Sequence, residues 1–471
     1  MSKSIPSFND FFQVIENYVS SPKQNRGDVV KYYSPSEISQ QINLQISENG
    51  EDLASLVEYA KKYLELSVNT GSKQFLNQLF SGFNFPAFFG EMVAASSNTT
   101  MATFEAAPVA TEIERELIRL MNTYTGYENG DGIFLTGGSN SNLIAMFSAR
   151  NRIFPEGRIS GVDGNLKLKA FVNEQAHYSF DTAANLLGIG TENVVKVKAD
   201  SEGRMIPLEL ERALEASIKK GETPFFVAAT CGTTMLGAFD PINKIVSICQ
   251  KYNVWFHVDG AFGGSLILSP KYRHFFMGLE HADSFTWDAH KVMNIPLICS
   301  VILVKQAGTL HHNIVGANTD YLYHSNSVEE DLGEKSIQCG RRADAVKLWF
   351  SWKCYGKEGY AKRIENLMAM ATHAEEIVKQ TPKLELLVPR QSLNICFRYV
   401  PKVNVDLNKF NLTIRENLRK SGESIVNYGY IGETLAIRLV VSNGDMQKED
   451  VEQFFQNFMS IANQVESNIN E

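Results

Sequence analysis

Lys291 closes the run Ala282-Asp283-Ser284-Phe285-Thr286-Trp287-Asp288-Ala289-His290-Lys291, with His290 beside the amine and the apolar segment Pro296 to Val304 just after it. Upstream, Val254-Trp255-Phe256-His257-Val258-Asp259-Gly260-Ala261 has the composition of a buried strand that ends on a carboxylate. Most lysines are solvated surface charges, and a lone aspartate is more often a helix cap or a surface acid. An acid closing so apolar a run must find a strong partner if it is buried. An amine and an acid at the ends of neighbouring strands suit the chemistry of pyridoxal phosphate. The amine forms a Schiff base with the cofactor aldehyde, and the acid holds the pyridine nitrogen protonated. The interval between Asp259 and Lys291 leaves room for a crossover and one further strand.

Other segments carry weaker signals of the same kind. Gly137-Gly138-Ser139-Asn140-Ser141-Asn142 opens a helical stretch, Leu143 to Asn151. Glycines permit close backbone approach, and a helix N-terminus offers free N–H groups to an anion. It is not a P-loop, because no Gly-Lys-Ser/Thr follows. His177 follows a strand ending near Asn173, and Thr234 lies in the turn-like Cys231-Gly232-Thr233-Thr234; taken singly, both residue types are more often structural. Arg438, inside the apolar Leu435 to Val440, needs a carboxylate-like partner, supplied either by the fold or by a ligand. The polar segment Gly308 to Lys335 holds Asp320-Tyr321-Leu322-Tyr323, and a phenol on a mobile loop can deliver a proton and then withdraw.

These residues must be positioned by a large fold. The chain has 471 residues, 44% hydrophobic and 21% charged, which is ample for a substantial core. A net charge of −8 argues against a general role on nucleic acid or anionic membrane. The six cysteines form no Cys-x-x-Cys pair, so neither a zinc cage nor a redox couple is expected, and no metal. The start of the chain lacks the apolar core of a signal peptide, and no apolar run is long enough to span a bilayer. These features place the protein in the cytoplasm.

Strand and helix signals alternate through the middle of the chain. Strands are expected at Leu168 to Asn173, Val194 to Lys198, Phe225 to Thr230 and Val254 to Asp259, with helices at Pro207 to Lys220 and Ile242 to Tyr252. Such alternation predicts an α/β domain with a mostly parallel sheet and ligands beyond the carboxyl ends of its strands. Residues 1–64 read as a helical arm, with starts at Ser34-Pro35 and Asp52. Residues 65–355 read as the large domain, and 356–471 as a small C-terminal α+β domain.

Asp288-Ala289-His290-Lys291 with Pro296-Leu297-Ile298-Cys299-Ser300 downstream, and His257-Val258-Asp259-Gly260-Ala261-Phe262-Gly263-Gly264 upstream, resemble the pyridoxal-phosphate-dependent group II amino-acid decarboxylases. Within that family the chain is most similar to the glutamate and cysteine-sulfinate (aspartate) decarboxylases. Ala289 departs from the proline usual there and removes no functional group. The resemblance implies fold type I, like aspartate aminotransferase, with a seven-stranded, mostly parallel large-domain sheet. It implies a homodimer with the active site at the subunit interface and the arm packed across it. It places His177 on the cofactor ring, Ala261 against it, Thr234 near its ring oxygen, and Gly138, Ser139 and His290 at its phosphate, with Asn140 also among the cofactor-binding residues. Tyr321 aligns with a loop tyrosine that returns a proton to the substrate carbon; Tyr323 competes for that role.

On the substrate side, Phe75 to Gly82 resembles the family's substrate segment, which assigns Gln78 and Phe80 to substrate binding, and Arg438 matches the residue that holds the α-carboxylate. Phe80 shortens the pocket, and the adjacent Arg341 and Arg342 could hold a distal anion or pair with acids such as Asp344. The expected activity is α-decarboxylation of a small acidic L-amino acid: cysteine sulfinate, aspartate, glutamate or phosphonoalanine. An aminotransferase or decarboxylating transaminase would share Lys291 and Asp259 without needing the loop tyrosine. A catalytically silent binding protein would keep the fold without the full residue set.

Overall fold

A computed structural model describes residues 7–20, 29–162, 166–314, 322–323 and 331–470. Contacts group the chain into two compact bodies. One comprises Met1–Phe83, Met370–Leu387 and Ile395–Glu471; the other, larger, comprises Asn84–Ala369 with Val388–Asn394.

The five-stranded sheet runs in the order β1 (Phe75–Leu76), β11 (Ile425–Ile431), β12 (Thr434–Val440), β10 (Asn394–Tyr399) and β9 (Leu384–Leu386). Parallel pairing of β1 with β11, Phe75 opposite Ile425 and Leu76 opposite Val426, draws residues up to 83 into this body. The sequence grouped residues 65–83 with the large domain; a two-residue strand is too short to leave a periodic signal. In the arm, Ser34 caps the helix Pro35–Gln41 in a capping box with Glu37, and Asp52 caps Leu53–Leu66.

The larger body holds seven strands: β2 (Asp131–Leu135), β3 (Leu168–Asn173), β4 (Val194–Val197), β5 (Thr223–Thr230), β6 (Trp255–Gly260), β7 (Ser284–Asp288) and β8 (Ser300–Val304). Their order is β2-β8-β7-β6-β5-β3-β4. β8 is antiparallel to both its neighbours and every other pairing is parallel. Six strands therefore present their carboxyl ends at one edge. β6, β7 and β8 are buried throughout, as expected of strands covered on both faces. The core behind that edge includes Ile133, Ile144, Val172, Phe226, Ala228 and Ile302.

Two helices start at the same edge: Gly138–Ile153 after β2 and Ser179–Leu186 after β3. The segment expected as an irregular loop contains a short helix, Thr309–Ile314, and a helical turn at Gly333–Lys335. The helical stretch Asp344–Gln380 is interrupted at Gly356 (φ 64°), which separates it into two helices.

Candidate active site

Asp259 ends β6 on that carboxyl edge, 4% exposed. Its register opposite Thr286 of β7 brings the turn after β7 alongside. In that turn the Lys291 backbone N–H donates to the Asp288 carbonyl at 3.2 Å. The Lys291 amine lies 3.1 Å from Asp288 Oδ2. The other oxygen of Asp288 accepts from the Ser300 hydroxyl. His290 Nδ1 accepts from the Cys299 N–H at 3.1 Å, and Nε2 stands 3.7 Å from Asp288 Oδ2. Burial pushes the His290 imidazole below its usual pKa.

His177 stands beyond β3, where its Nδ1 accepts from the Ser179 N–H at 3.2 Å. Burial lowers its pKa; Asp259 opposes that shift, Lys291 reinforces it and Asp288 opposes it. The imidazole is thus neutral near pH 7, with its proton on Nε2. The β6–β7 register, with Asp288 and Ala261 both bordering Gly138, brings the amine and the acid to one sheet edge.

The helix N-terminus after β2 borders the same place. Gly137 (φ 130°) makes a turn that favours glycine. At Gly138 a Cβ would come 2.7 Å from Asp288 Oδ2 and 3.1 Å from the Ala261 Cβ. Ser139 is exposed. Asn140 Nδ2 donates to Thr136 Oγ1 at 2.9 Å, while its buried Oδ1 has no hydrogen-bond partner among the described residues. Thr234, exposed just past β5, has its carbonyl bonded by Asn394 Nδ2 at 3.0 Å.

These features fit pyridoxal phosphate. Gly138 leaves room for a close approach to first-turn N–H groups suited to an anion. Asp259 accepts Asn142 Nδ2 on one oxygen at 2.9 Å and the Ala261 N–H on the other at 3.0 Å, which leaves lone pairs for a ring N–H. Lys291 supplies the amine.

The remaining sequence candidates lie on other elements. Arg438 in β12 is buried, and its Nη2 donates to the Asn77 carbonyl at 2.8 Å, beside the exposed Gln78. The Phe80 ring packs 6.1 Å from that of Phe75. Tyr321 lies outside the described residues. Tyr323 is half-buried, its hydroxyl over Gly333.

Neither Arg341 nor Arg342 presents a guanidinium reserved for a distal anion. Arg341 is buried against Glu114 at 3.1 Å and also donates to the Phe134 carbonyl at 2.9 Å. Glu114 in turn accepts the Phe134 N–H at 3.1 Å. β2 is an edge strand, and the pair satisfies outward backbone groups that no neighbouring strand reaches. Arg342 pairs with Glu91 rather than with Asp344 alone.

Sequence reasoning missed Asn142 and Asp288, which contact Asp259 and Lys291 directly. Both lay inside quoted motifs. Asn142 at the fourth residue after Gly138 had a helical signal to show its direction, but the partner on β6 was visible only through the sheet order.

Residues 35–400 match the pyridoxal-dependent decarboxylase conserved domain. The chain is 36% identical to cysteine sulfinic acid decarboxylase of Mus musculus over 438 residues, covering 90% of this chain and 89% of that protein. It is 34% identical to acidic amino acid decarboxylase GADL1 of Homo sapiens over 453 residues, covering 93% and 87%. The crystal structure of mouse CSAD superposes with a TM-score of 0.92 at 34% identity, covering 96% of this chain and 97% of that one. With the amine, the buried acid and the glycine turn assembled at one sheet edge, the chain belongs to the pyridoxal-dependent decarboxylase family, and pyridoxal phosphate is its cofactor.

Proposed function

We propose that the chain removes the α-carboxylate of a small acidic L-amino acid, cysteine sulfinate, aspartate, glutamate or phosphonoalanine, giving the amine and carbon dioxide. The observation that carries this is the Lys291–Asp259 site in a chain whose relatives, over nine-tenths of its length, are named for cysteine sulfinic acid and acidic amino acids. Bound pyridoxal phosphate supplies an aldehyde for amines and a protonated ring that draws off the electron pair left when carbon dioxide departs. Lys291 would hold the cofactor through Nζ, and Asp288, 3.1 Å from that nitrogen, would accept a hydrogen bond from the amine when a substrate amine takes its place. Asp259 accepts the ring N–H. His177, neutral, would lie against the ring and keep an N–H at Nε2 for the substrate carboxylate or for relaying a proton.

In this proposal Gly138, Ser139 and His290 would contact the phosphate, Asn140 would bind the cofactor, and Ala261 and Thr234 would lie at the ring. Tyr321 returns the proton to the α-carbon. Tyr323 stays a competing donor by its place two residues on; burial, with Cys339, Glu334 and Asp331, raises its pKa and so makes it a weaker acid than an exposed tyrosine. Gln78, Phe80 and Arg438 keep their substrate roles on resemblance; the burial of Arg438 is consistent with an anionic ligand.

We also propose a homodimer. Leu44, Ile46 and Tyr63 of the arm are 64%, 96% and 68% exposed, an apolar surface of the kind a second copy would cover. A cytoplasmic location is supported by cysteines that form no disulfide among the described residues. No helix among the described residues is long and apolar enough to cross a membrane.

The test is a carbon-dioxide and product screen over cysteine sulfinate, aspartate, glutamate, phosphonoalanine and aromatic amino acids. Turnover confined to acidic substrates, with amine as product, is expected. Equal turnover of aromatic substrates would remove the acidic assignment, and a keto acid or aldehyde product would indicate transamination instead.

A further inference from the structure

Behind Asp259 lies a set of buried hydrogen bonds that the proposed chemistry leaves unused. Asn142, 1% exposed, sits early in the helix Gly138–Ile153. Its Nδ2 donates to Asp259 Oδ2 at 2.9 Å and to Ser179 Oγ at 3.0 Å. Its Oδ1 accepts from Thr286 Oγ1 at 3.0 Å and lies 3.0 Å from His257 Nε2. A carboxamide has two N–H bonds and two lone pairs, so all four are engaged.

His257 continues the set on the other side of the amide. Trp255 Nε1 donates to Ser284 Oγ at 2.9 Å, and that hydroxyl is 2.8 Å from His257 Nδ1. Because the Asp259 carboxylate takes Asn142 Nδ2, the amide oxygen faces His257, so the imidazole proton sits on Nε2 and Nδ1 is left to accept from the Ser284 hydroxyl. Full burial pushes the His257 pKa down to about 3, so the ring carries one proton and not two. The register His257 opposite Ser284 and Asp259 opposite Thr286 places these groups on adjacent strands. A reversed amide would set Oδ1 against the Asp259 carboxylate, acceptor against acceptor.

The second amide hydrogen reaches His177 indirectly. It holds Ser179 Oγ, and the Ser179 N–H donates to His177 Nδ1. We infer that Asn142 is a positioning residue for two cofactor contacts at once: it fixes the Asp259 carboxylate that meets the ring nitrogen and, through Ser179, the imidazole of His177. The Trp255–Ser284–His257 relay and Thr286 hold the amide in the orientation that keeps Asp259 an acceptor. This rests on the pairing of Asp259 with the ring nitrogen proposed above. A saturated buried network of this kind polarises along its length, so a change at His257 is felt at Asp259.

The test uses holoenzyme reconstituted with pyridoxal phosphate labelled with nitrogen-15 in the ring, with the ring-nitrogen NMR shift followed across pH alongside kcat and KM. The wild type is expected to hold the protonated shift. Asn142→Leu and His257→Leu are expected to move it toward the unprotonated value and to lower kcat about 10-fold or more, as loss of a hydrogen bond to a charged group would, with a smaller change in KM. His257→Gln, which restores an N–H toward Asn142 Oδ1, should recover the shift. If Asn142→Leu fails to fold, His257→Leu and Thr286→Val carry the same prediction while leaving Asp259 and its donor in place. Asp259→Asn is the control. If it moves the shift and the Asn142, His257 and Thr286 variants do not, the positioning role is wrong and the Asp259 pairing stands. If Asp259→Asn leaves the shift unchanged, the pairing itself is wrong.

Discussion

The Lys291 amine, the Asp288 carboxylate and the missing side chain of Gly138 occupy a few ångströms of space, and each constrains the others. Asp288 is pinned by Ser300 and by Lys291, so it cannot swing away from a new methyl group. A Cβ at Gly138 would sit 2.7 Å from its carboxylate and 3.1 Å from Ala261, closer than side chains tolerate. Gly138→Ala is therefore expected to weaken cofactor binding about tenfold, equivalent to about 1.4 kcal/mol. Fluorescence titration of the apoenzyme with pyridoxal phosphate measures it, and an unchanged dissociation constant would show that the helix N-terminus does not border the cofactor. The residue scale is also where the sequence was most legible. Asp259 and Lys291 could be picked out because an acid and an amine at the ends of apolar runs demand an explanation. Asn142, by contrast, is an ordinary helical polar residue until β6 and β7 are placed beside its helix.

At the scale of elements, the edge strand β2 leads directly into the glycine turn. Its outward N–H and C=O at Phe134 are satisfied by Glu114 and Arg341. Both side chains of this ion pair are almost fully buried, 1% and 3% exposed. Removing one partner strands the other as a buried charge, which costs about 3–5 kcal/mol. Arg341→Met should lower unfolding stability by that order, and adding Glu114→Leu should recover part of the loss. Denaturant or thermal unfolding checks it; a single variant as stable as the wild type would show that the pair is not holding the strand. On sequence the two adjacent arginines left an anion site and pairing with acids such as Asp344 both open, because the partners they take, Glu114 and Glu91, lie more than two hundred positions away in the chain. Strands β3, β5 and β6 were legible from composition, since strands buried on both faces are continuous apolar runs. β1 and β11 were not: one is two residues long and the other alternates buried and exposed positions with polar residues among them.

For the whole molecule, the buried polar groups near the sheet edge couple stability to pH. The His257 pKa is about 3 in the fold and near 6.5 when exposed. The unfolded chain therefore binds the extra proton between those values, and the stabilisation present above about pH 6.5 is lost as pH falls toward 3. Asp240 acts in the opposite sense. Burial raises it to about 6 despite hydrogen bonds from the Met205 and Thr230 N–H groups and Asn173. Its contribution is lost as pH rises from near 4 to about 6. His257→Gln should flatten the fall in melting temperature between pH 6.5 and 4 relative to the wild type. Parallel curves for the two proteins would mean that His257 does not titrate on unfolding in that range.

The identity of the anchoring amine remains the point on which the rest turns, and it can be read chemically. Holoenzyme treated with borohydride retains its cofactor as a stable adduct on whichever lysine holds it, and peptide mass mapping then locates that residue. The adduct is predicted on the peptide containing His290-Lys291, with neither adduct nor decarboxylation in Lys291→Ala. An adduct on a different lysine, or full turnover by Lys291→Ala, would contradict the assignment of Lys291 and with it the chemistry built around Asp259.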